Sequence, residues 1–188
     1  MEKLKLFMLL LGCKPKGRHI EQHDVFFGVA ESVKDLVPDI IKFWPEANGN
    51  IHLDAYREVA NVDGYTITVH EKKPGTTSGA GKMKLFFINL GGYKQNEFDE
   101  FHYKVLSIQE DKGMAVEVAK QTAFYQHTKF PGANSHIDDK YGVDVDDIFQ
   151  IEDVLPPDVK EKYFLEIMES KSPGTDKLYL GYFKLDKL

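Results

Sequence analysis

The sequence predicts an α+β protein of two tandem β-β-α-β-β units, closed by a C-terminal β-hairpin. Three observations lead to this prediction. Apolar, β-rich runs alternate with polar loops, a helical apolar spacing occurs once in each half, and motifs of the first half recur in the second. We place the first unit at residues 1–79 and the second at residues 80–155, with residues 156–188 as the hairpin that completes the second unit.

Each element of the first unit follows from a local pattern. Residues 3–11 form an apolar, β-rich run that predicts a strand, and residues 25–27 continue a second strand after a polar loop. Residues 31–43 carry apolar side chains at helical spacing and predict a helix, which we expect Ser32 to cap. Two further strands are expected in this unit, at residues 51–59 and 65–69.

The second unit shows the same succession of patterns. The predicted elements are strands at residues 82–90 and 105–106, a helix at 112–125, and strands at 137–143 and 148–151. The last two apolar runs, residues 163–168 and 178–185, are separated by a Pro173-Gly174 pair that is typical of a turn. We therefore expect them to form the terminal hairpin.

The repeat itself is visible in four pairs of short motifs. They are Leu11-Gly12 with Leu90-Gly91, Glu21-Gln22-His23 with Glu100-Phe101-His102, His52-Leu53-Asp54 with His136-Ile137-Asp138, and Asp63-Gly64-Tyr65 with Asp147-Ile148-Phe149. The last two pairs stand at a longer spacing than the first two, which indicates an insertion in the second unit. We place it in the loop at residues 130–134, because loops tolerate additional residues.

Composition and charge exclude several classes of protein. The chain has 188 residues, of which 42% are hydrophobic and 29% charged, so it can build a core and is not expected to be disordered. A net charge of -6 provides no basic field for phosphates, so we expect no nucleic-acid partner. A single cysteine, Cys13, excludes an internal disulfide and a cysteine-based zinc site. No apolar run has the length of a membrane-spanning helix, so we expect no membrane partner.

The N-terminus has some features of a short lipoprotein signal that ends at Cys13. The same segment recurs at residues 83–91, in mid-chain, where no export signal operates. We therefore predict that the first segment is a strand and that the protein is cytoplasmic.

The residues best suited to metal binding or acid–base chemistry are the repeated Glu-x-His and His-x-Asp pairs. Residues two positions apart on a strand point to one face, roughly 6.5–7 Å from each other. The two pairs flank the predicted helix, so a crossover places them as neighbours or near neighbours. The candidate metal ligands are Glu21, His23, His52 and Asp54 in the first unit, and Glu100, His102, His136 and Asp138 in the second.

Two roles are open for these residues. Retention of the set in both units favours a structural role, in which each half-buried histidine hydrogen-bonds to a carboxylate. The alternative is a site for a divalent metal such as zinc, manganese or iron, or for general acid–base chemistry. On the structural reading the protein has no cofactor.

These motifs resemble a bacterial family catalogued as domain of unknown function 1543, in its two-copy form. The resemblance rests on Leu-Gly after the first strand and on the motifs at residues 21–25, 51–54 and 62–65, and it extends from about residue 3 to residue 155. The second copy departs from the pattern at Tyr103 and Ile148, where the first copy has Asp24 and Gly64. The resemblance implies the fold unit and a bacterial source, with no substrate, cofactor or catalytic residue.

These observations lead to two hypotheses about function. The first is a non-catalytic binding or interaction module whose partner is a small molecule or a protein. The second is a metal-dependent hydrolase that uses the Glu-x-His and His-x-Asp set. Self-association into a homo-oligomer through open sheet edges is a further possibility. The sequence leaves open whether the protein is an enzyme.

Overall fold

The computed structural model of the chain describes residues 3–73, 81–93, 96–121, 143–172 and 174–188. The fold is α+β and its sheets are antiparallel, which confirms the predicted class. The chain divides into two compact units: unit 1 comprises Met1–Ala80 and Leu155–Leu188, and unit 2 comprises Gly81–Val154. The described helices contain none that is long and apolar enough to cross a membrane.

The described strands are β1 (Lys5–Cys13), β2 (Gln22–Ala30), β3 (His52–Glu58), β4 (Asn61–Val62), β5 (Tyr65–Glu71), β6 (Lys84–Tyr93), β7 (Glu100–Gln109), β8 (Val143–Gln150), β9 (Tyr163–Glu169) and β10 (Tyr179–Lys184). The described α-helices are α1 (Val37–Phe43), α2 (Lys112–Lys120), α3 (Ile151–Val154) and α4 (Pro157–Lys162). Helix α1 begins later than expected because a 3-10 turn at Val33–Leu36 precedes it. Ser32 lies at the start of that turn, where its hydroxyl donates to Asp35 Oδ2 at 2.6 Å.

Unit 1 is built around a four-stranded sheet in the order β10-β3-β1-β2. Alternate residues of β1 point to one face, where Leu9 and Leu11 pack with Leu36 and Ile40 from the helical segment. Leu53 from β3 is fully buried in the same cluster. The helical segment therefore covers one face of the sheet, and the residues between these core positions, such as Gly12, belong to the other face.

The two C-terminal strands differ from the sequence prediction. Strand β9 pairs with β5 in a second sheet of order β4-β5-β9, and β10 pairs with the outer edge of β3. The expected hairpin that completes the second unit is therefore wrong, because both strands add to sheets of unit 1. A Pro-Gly turn predicts that the strands on either side of it pair with each other. Here β9 pairs instead with β5, and β10 pairs with β3, and both partners are strands of unit 1.

Unit 2 contains a three-stranded sheet in the order β7-β6-β8, with α2 packed on one face. Its core consists of Phe86, Ile88 and Leu90 from β6 with Ala115 and Ala119 from α2. Residues 143–150 form one continuous strand. The strand predicted at 148–151 is therefore confirmed for residues 148–150, but it is the end of that strand rather than a separate element, and Ile151 already begins helix α3. Residues 137–142, where part of another strand was expected, lie outside the described residues, as do residues 122–125 of the predicted helix.

Candidate functional site

The candidate site of unit 1 is centred on a row of three residues across its sheet. Gly12 in β1 pairs with His23 of β2 on one side and with His52 of β3 on the other. Residues directly opposite each other on neighbouring strands present their side chains to the same face. Two imidazoles therefore extend toward each other over a glycine, on the face that the helical segment does not cover.

Two carboxylates complete the site. Glu21 lies two positions before His23, and Asp54 lies two positions after His52. The register between β1 and β3 shifts at Leu10 and Leu11, and Asp54 is the extra residue at that bulge. The bulge re-aims the carboxylate toward Gly12, where a regular strand would carry it further along the sheet.

Four side chains, which we call the unit 1 cluster (Glu21, His23, His52 and Asp54), lie together so that each histidine is within 4 Å of both carboxylates. His23 Nε2 lies 3.1 Å from Asp54 Oδ2 and 3.8 Å from Glu21 Oε2. His52 Nε2 lies 3.2 Å from Glu21 Oε1 and 3.3 Å from Asp54 Oδ1. The structure thus brings together all four candidate residues that the sequence analysis placed in the first unit.

Gly12 provides the space in which the cluster forms. A Cβ atom at this position would collide with His52 Nε2 and lie 2.6 Å from Asp54 Oδ2. Real Cβ contacts are longer than this, so a larger residue here displaces the histidine or the carboxylate. In the sequence, Leu11-Gly12 stands out only as part of the repeat, and no local pattern there predicts this function of the glycine.

The cluster is closed on one side and open on the other. The side chain of His52 is 8% exposed, and the Tyr182 ring covers it at a centroid distance of 4.2 Å. Glu21 and His23 are 40% and 43% exposed. Solvent therefore reaches the cluster from the side of Glu21 and His23.

Two atoms of the closed side lack hydrogen bonds. Within the described part of the chain, neither His52 Nε2 nor Asp54 Oδ2 has a hydrogen-bond partner, although both are buried. The carboxylate oxygens near them lie at short distances without the geometry of a hydrogen bond. Buried polar atoms without a hydrogen-bond partner are uncommon, and each one requires an explanation such as a bound water molecule or ion.

Unit 2 repeats this geometry with a partly different set of residues. Gly91 pairs with His102 on one side and with Asp144 on the other, and a register shift at Asn89 and Leu90 leaves Asp146 at the bulge. His102 Nε2 lies 3.3 Å from Asp146 Oδ2 and 3.9 Å from Glu100 Oε2. A Cβ on Gly91 would collide with the Asp146 carboxylate, as one on Gly12 would with Asp54.

This register corrects the sequence alignment of the third strands. Asp144-Val145-Asp146, rather than His136-Ile137-Asp138, occupies the positions of His52-Leu53-Asp54. Asp147 lies within β8 opposite Asn89, so its proposed match with Asp63 is also wrong. His136 and Asp138 lie outside the described residues. The polar-apolar-polar alternation of Asp144-Val145-Asp146 was the signal that could have given the correct match. The alignment followed instead the histidine that His136 shares with His52.

Residues 18–69 match the family model described as Domain of Unknown Function (DUF1543). The match confirms the resemblance for these residues, and they contain the whole unit 1 cluster. No curated protein matches the chain.

A solved structure extends the comparison to the full length. The chain is similar to the protein Il1583 from Idiomarina loihiensis, with a TM-score of 0.59, 24% sequence identity and 97% of each chain covered. At that identity the similarity shows the fold alone.

A cavity of about 490 Å³ in unit 1 borders the unit 1 cluster at His52. Its apolar lining comes from Val37, Ile41, Ile51 and Leu185, and Tyr182, whose ring covers His52, also belongs to its wall. The cavity and the unit 1 cluster thus share one residue, His52.

Cys13 follows the central glycine but belongs to the opposite face. It is buried in the core cluster with Leu11 and Leu53. Burial and the negative charge of Glu21 raise the pKa of its thiol. The reactive thiolate is therefore disfavoured, and Cys13 is a core residue rather than a ligand or a nucleophile.

Proposed function

We propose that unit 1 is a binding module for one divalent transition-metal ion, held by Glu21, His23, His52 and Asp54. The observation that carries this proposal is the buried, unpartnered Nε2 atom of His52, which points into a cluster of three other metal-ligating side chains. An ion between the four side chains would complete the interactions that the buried atoms lack.

Distances within the cluster support this proposal. In a tetrahedral site with bonds of about 2.0–2.1 Å, neighbouring donor atoms are about 3.3–3.4 Å apart. The four donor–donor distances in the cluster are 3.1, 3.2, 3.3 and 3.8 Å. As the side chains stand, no group of three or more His, Cys, Asp or Glu residues in the described part of the chain has an arrangement that could hold a metal ion. The proposal therefore requires the side chains of the cluster to move when the ion enters.

The chemistry of the donors favours a particular class of ion. Imidazole nitrogens suit zinc, iron and other transition metals, whereas calcium and magnesium prefer ligand shells of oxygen. Two imidazoles and two carboxylates form a donor set of the kind that zinc accepts.

The structural role remains the competing explanation. A histidine that fastens two strands through carboxylates would satisfy its own ring nitrogen, because that is the physical purpose of such a contact. The contacts of His52 do not achieve this. Backbone pairing moreover already joins β1 to β2 along its length, and joins β1 to β3 on both sides of the bulge, so a side-chain contact is not needed to hold these strands together.

The test is the metal content of the full chain, purified without chelator or histidine tag and measured by plasma mass spectrometry. We expect near-stoichiometric zinc, iron or manganese in the wild type and its loss in His52→Ala and Asp54→Ala. The matched control is His70→Ala, which removes a histidine of unit 1 that contacts Glu166 outside the cluster. If the wild-type protein contains no metal after dialysis against zinc, and circular dichroism shows that it is folded, the proposal is wrong.

A second candidate function is metal-dependent hydrolysis, favoured by the open side of the cluster and the adjacent cavity. A catalytic metal keeps one position for water and lowers the pKa of that water. In this candidate His23, His52 and Asp54 would hold the ion, water would take the fourth position, and Glu21, on the open side, would accept the proton of that water instead of binding the metal. We expect the zinc-loaded protein to turn over chromogenic esters or phosphodiesters, and Glu21→Gln to keep the metal but lose turnover. Absence of turnover across both substrate classes rejects this candidate and leaves the binding module.

We further propose that the two units arose by duplication of one β-β-α-β segment. The support is the common placement of the glycine, the histidine and the bulge in β1–β3 and in β6–β8. Independent chains have no physical reason to place a bulge at the same step from the same glycine.

A further inference from the structure

We propose that the cavity of unit 1 binds a small organic anion, a carboxylate with an apolar chain, whose negative charge pairs with Lys184. A lysine without an ion-pair partner and a partly exposed apolar wall border the same cavity, and together they fit a molecule of that kind. The inference goes beyond the proposed function, because it requires no metal ion in the unit 1 cluster.

Lys184 lies in the edge strand β10, in line with the unit 1 cluster. In the register of the sheet it pairs with His52, which pairs in turn with Gly12, and Gly12 pairs with His23. Residues directly opposite each other on neighbouring strands present their side chains to the same face. Lys184 therefore extends the row of the cluster across all four strands, and it belongs to the wall of the cavity.

The ammonium group of Lys184 has no counter-ion in the described part of the chain. Asp186, a carboxylate of the same wall, lies instead 3.9 Å from Lys187 Nζ. A carboxylate ligand would provide the absent partner of Lys184. One lysine matches the single charge of a carboxylate, whereas phosphate sites typically add the backbone N–H groups of a helix N-terminus or an arginine.

The same cavity has an apolar wall. Ile51 belongs to the core cluster beneath the helical segment, and Leu185 packs against that cluster. Val37 and Ile41 come from α1, and Ile41 is 45% exposed. Burial of this surface under an apolar chain is favourable, and the volume of about 490 Å³ is typical of small-molecule sites. A molecule with a charged head and an apolar chain would therefore contact both parts of the cavity.

The test is a titration of the full chain with carboxylates of increasing length, followed by NMR. We expect saturable binding of hexanoate, with shifts of the backbone amides around the cavity. The affinity should rise roughly two- to fourfold for each methylene from butanoate to octanoate, because each methylene buries further apolar surface.

Three variants separate the charge from the apolar wall. Lys184→Met should weaken hexanoate binding about three- to tenfold and leave binding of the neutral 1-hexanol unchanged. Ile41→Gln should weaken the binding of both molecules. The matched control is Lys5→Met, which removes a lysine of unit 1 that pairs with Glu58 outside the cavity, and both affinities should equal those of the wild type.

The outcomes decide the inference independently of the metal. It is wrong if none of the three carboxylates binds saturably, or if the shifts lie away from the cavity. It is also wrong if Lys184→Met keeps the wild-type affinity for hexanoate, or weakens 1-hexanol as much as hexanoate. If Lys184→Met does not fold, the wild type decides, because it should bind hexanoate more tightly than hexylammonium, and equal or reversed affinities overturn the inference. Metal content tests the proposed function separately, so either conclusion can fail without the other.

Discussion

His23 and His52 belong to strands that do not pair with each other, yet both imidazoles lie over Gly12 and contact the same Asp54 carboxylate, at 3.1 and 3.3 Å. The intervening strand β1 separates them by two strand spacings, roughly 9.6 Å. Side chains of this length meet across such a gap only where the middle residue has no side chain of its own. The glycine is therefore as much a part of the cluster as the residues that carry donors.

Gly12→Ala should disrupt the cluster without changing any of its donors. The added methyl group collides with His52 Nε2 and Asp54 Oδ2, so we expect loss of bound zinc and destabilisation of about 1–3 kcal/mol from the crowding. Metal content and urea denaturation measure the two effects. The control is Gly91→Ala, which crowds Asp146 in unit 2 and should leave the zinc of unit 1 in place. Equal zinc content in wild type and Gly12→Ala would contradict the placement of the ion.

Zinc should raise the thermal stability of the chain in a concentration-dependent way. An ion that binds only the folded state contributes about 2.7 kcal/mol when its concentration is a hundred times its dissociation constant. We expect the melting temperature, followed by circular dichroism, to rise with zinc and to fall with EDTA. The rise should vanish in His52→Ala and persist in His70→Ala. A rise of the same size in His52→Ala would place the ion elsewhere.

The hydrogen bonds that Asp176 accepts should contribute substantially to the stability of unit 1, in addition to its hydrophobic core. Its carboxylate accepts hydrogen bonds from the backbone N–H groups of Ala60 and Asn61 and from the Asn61 side chain, at 3.0–3.1 Å. Asp176→Ala leaves these partly buried donors unpaired, and we expect a loss of about 1–3 kcal/mol in the free energy of unfolding, measured in urea. Asp186→Ala, at an exposed carboxylate, is the control and should change stability little. A neutral result for Asp176→Ala would mean that water replaces the lost acceptor.

Cys13 should be unreactive in the folded protein. Its side chain is buried, and burial together with the charge of Glu21 raises the pKa of the thiol. The neutral thiol is the form that folding favours, so its contribution to stability is complete below the pKa of the unfolded chain and is lost as pH rises through the folded pKa. We expect slow modification by a disulfide reagent at neutral pH and rapid modification in denaturant. Fast labelling of the native protein would show that β1 opens readily.

Several features of this protein were predictable because they depend on local pattern. The apolar, β-rich runs predicted strands where β1 and β6 lie, and the Glu-x-His pair placed Glu21 and His23 on one face. His52 and Asp54 were predictable as partners because a crossover through one predicted helix connects the two pairs and brings their strands near each other. The positions of these residues therefore follow from segments that are close to one another in the sequence.

The errors arose where pairing depended on distant parts of the chain. His136 was matched to His52 by residue identity, but a bulge in the β6–β8 pairing gives that position to Asp144. The C-terminal runs were assigned to each other by their turn, but Leu165 pairs with Val69 and Leu180 with Ala55.

The sequence by itself determined the α+β class, the first strand of each unit and the Glu-x-His and His-x-Asp pairs of unit 1, because side-chain alternation and helical spacing depend on neighbouring positions. Only the tertiary structure decided the register over Gly12 and Gly91 and the strand edges that β9 and β10 join. Register and edge pairing depend on which backbone groups remain unpaired after the rest of the sheet has formed, and that is a property of the assembled fold rather than of any local segment.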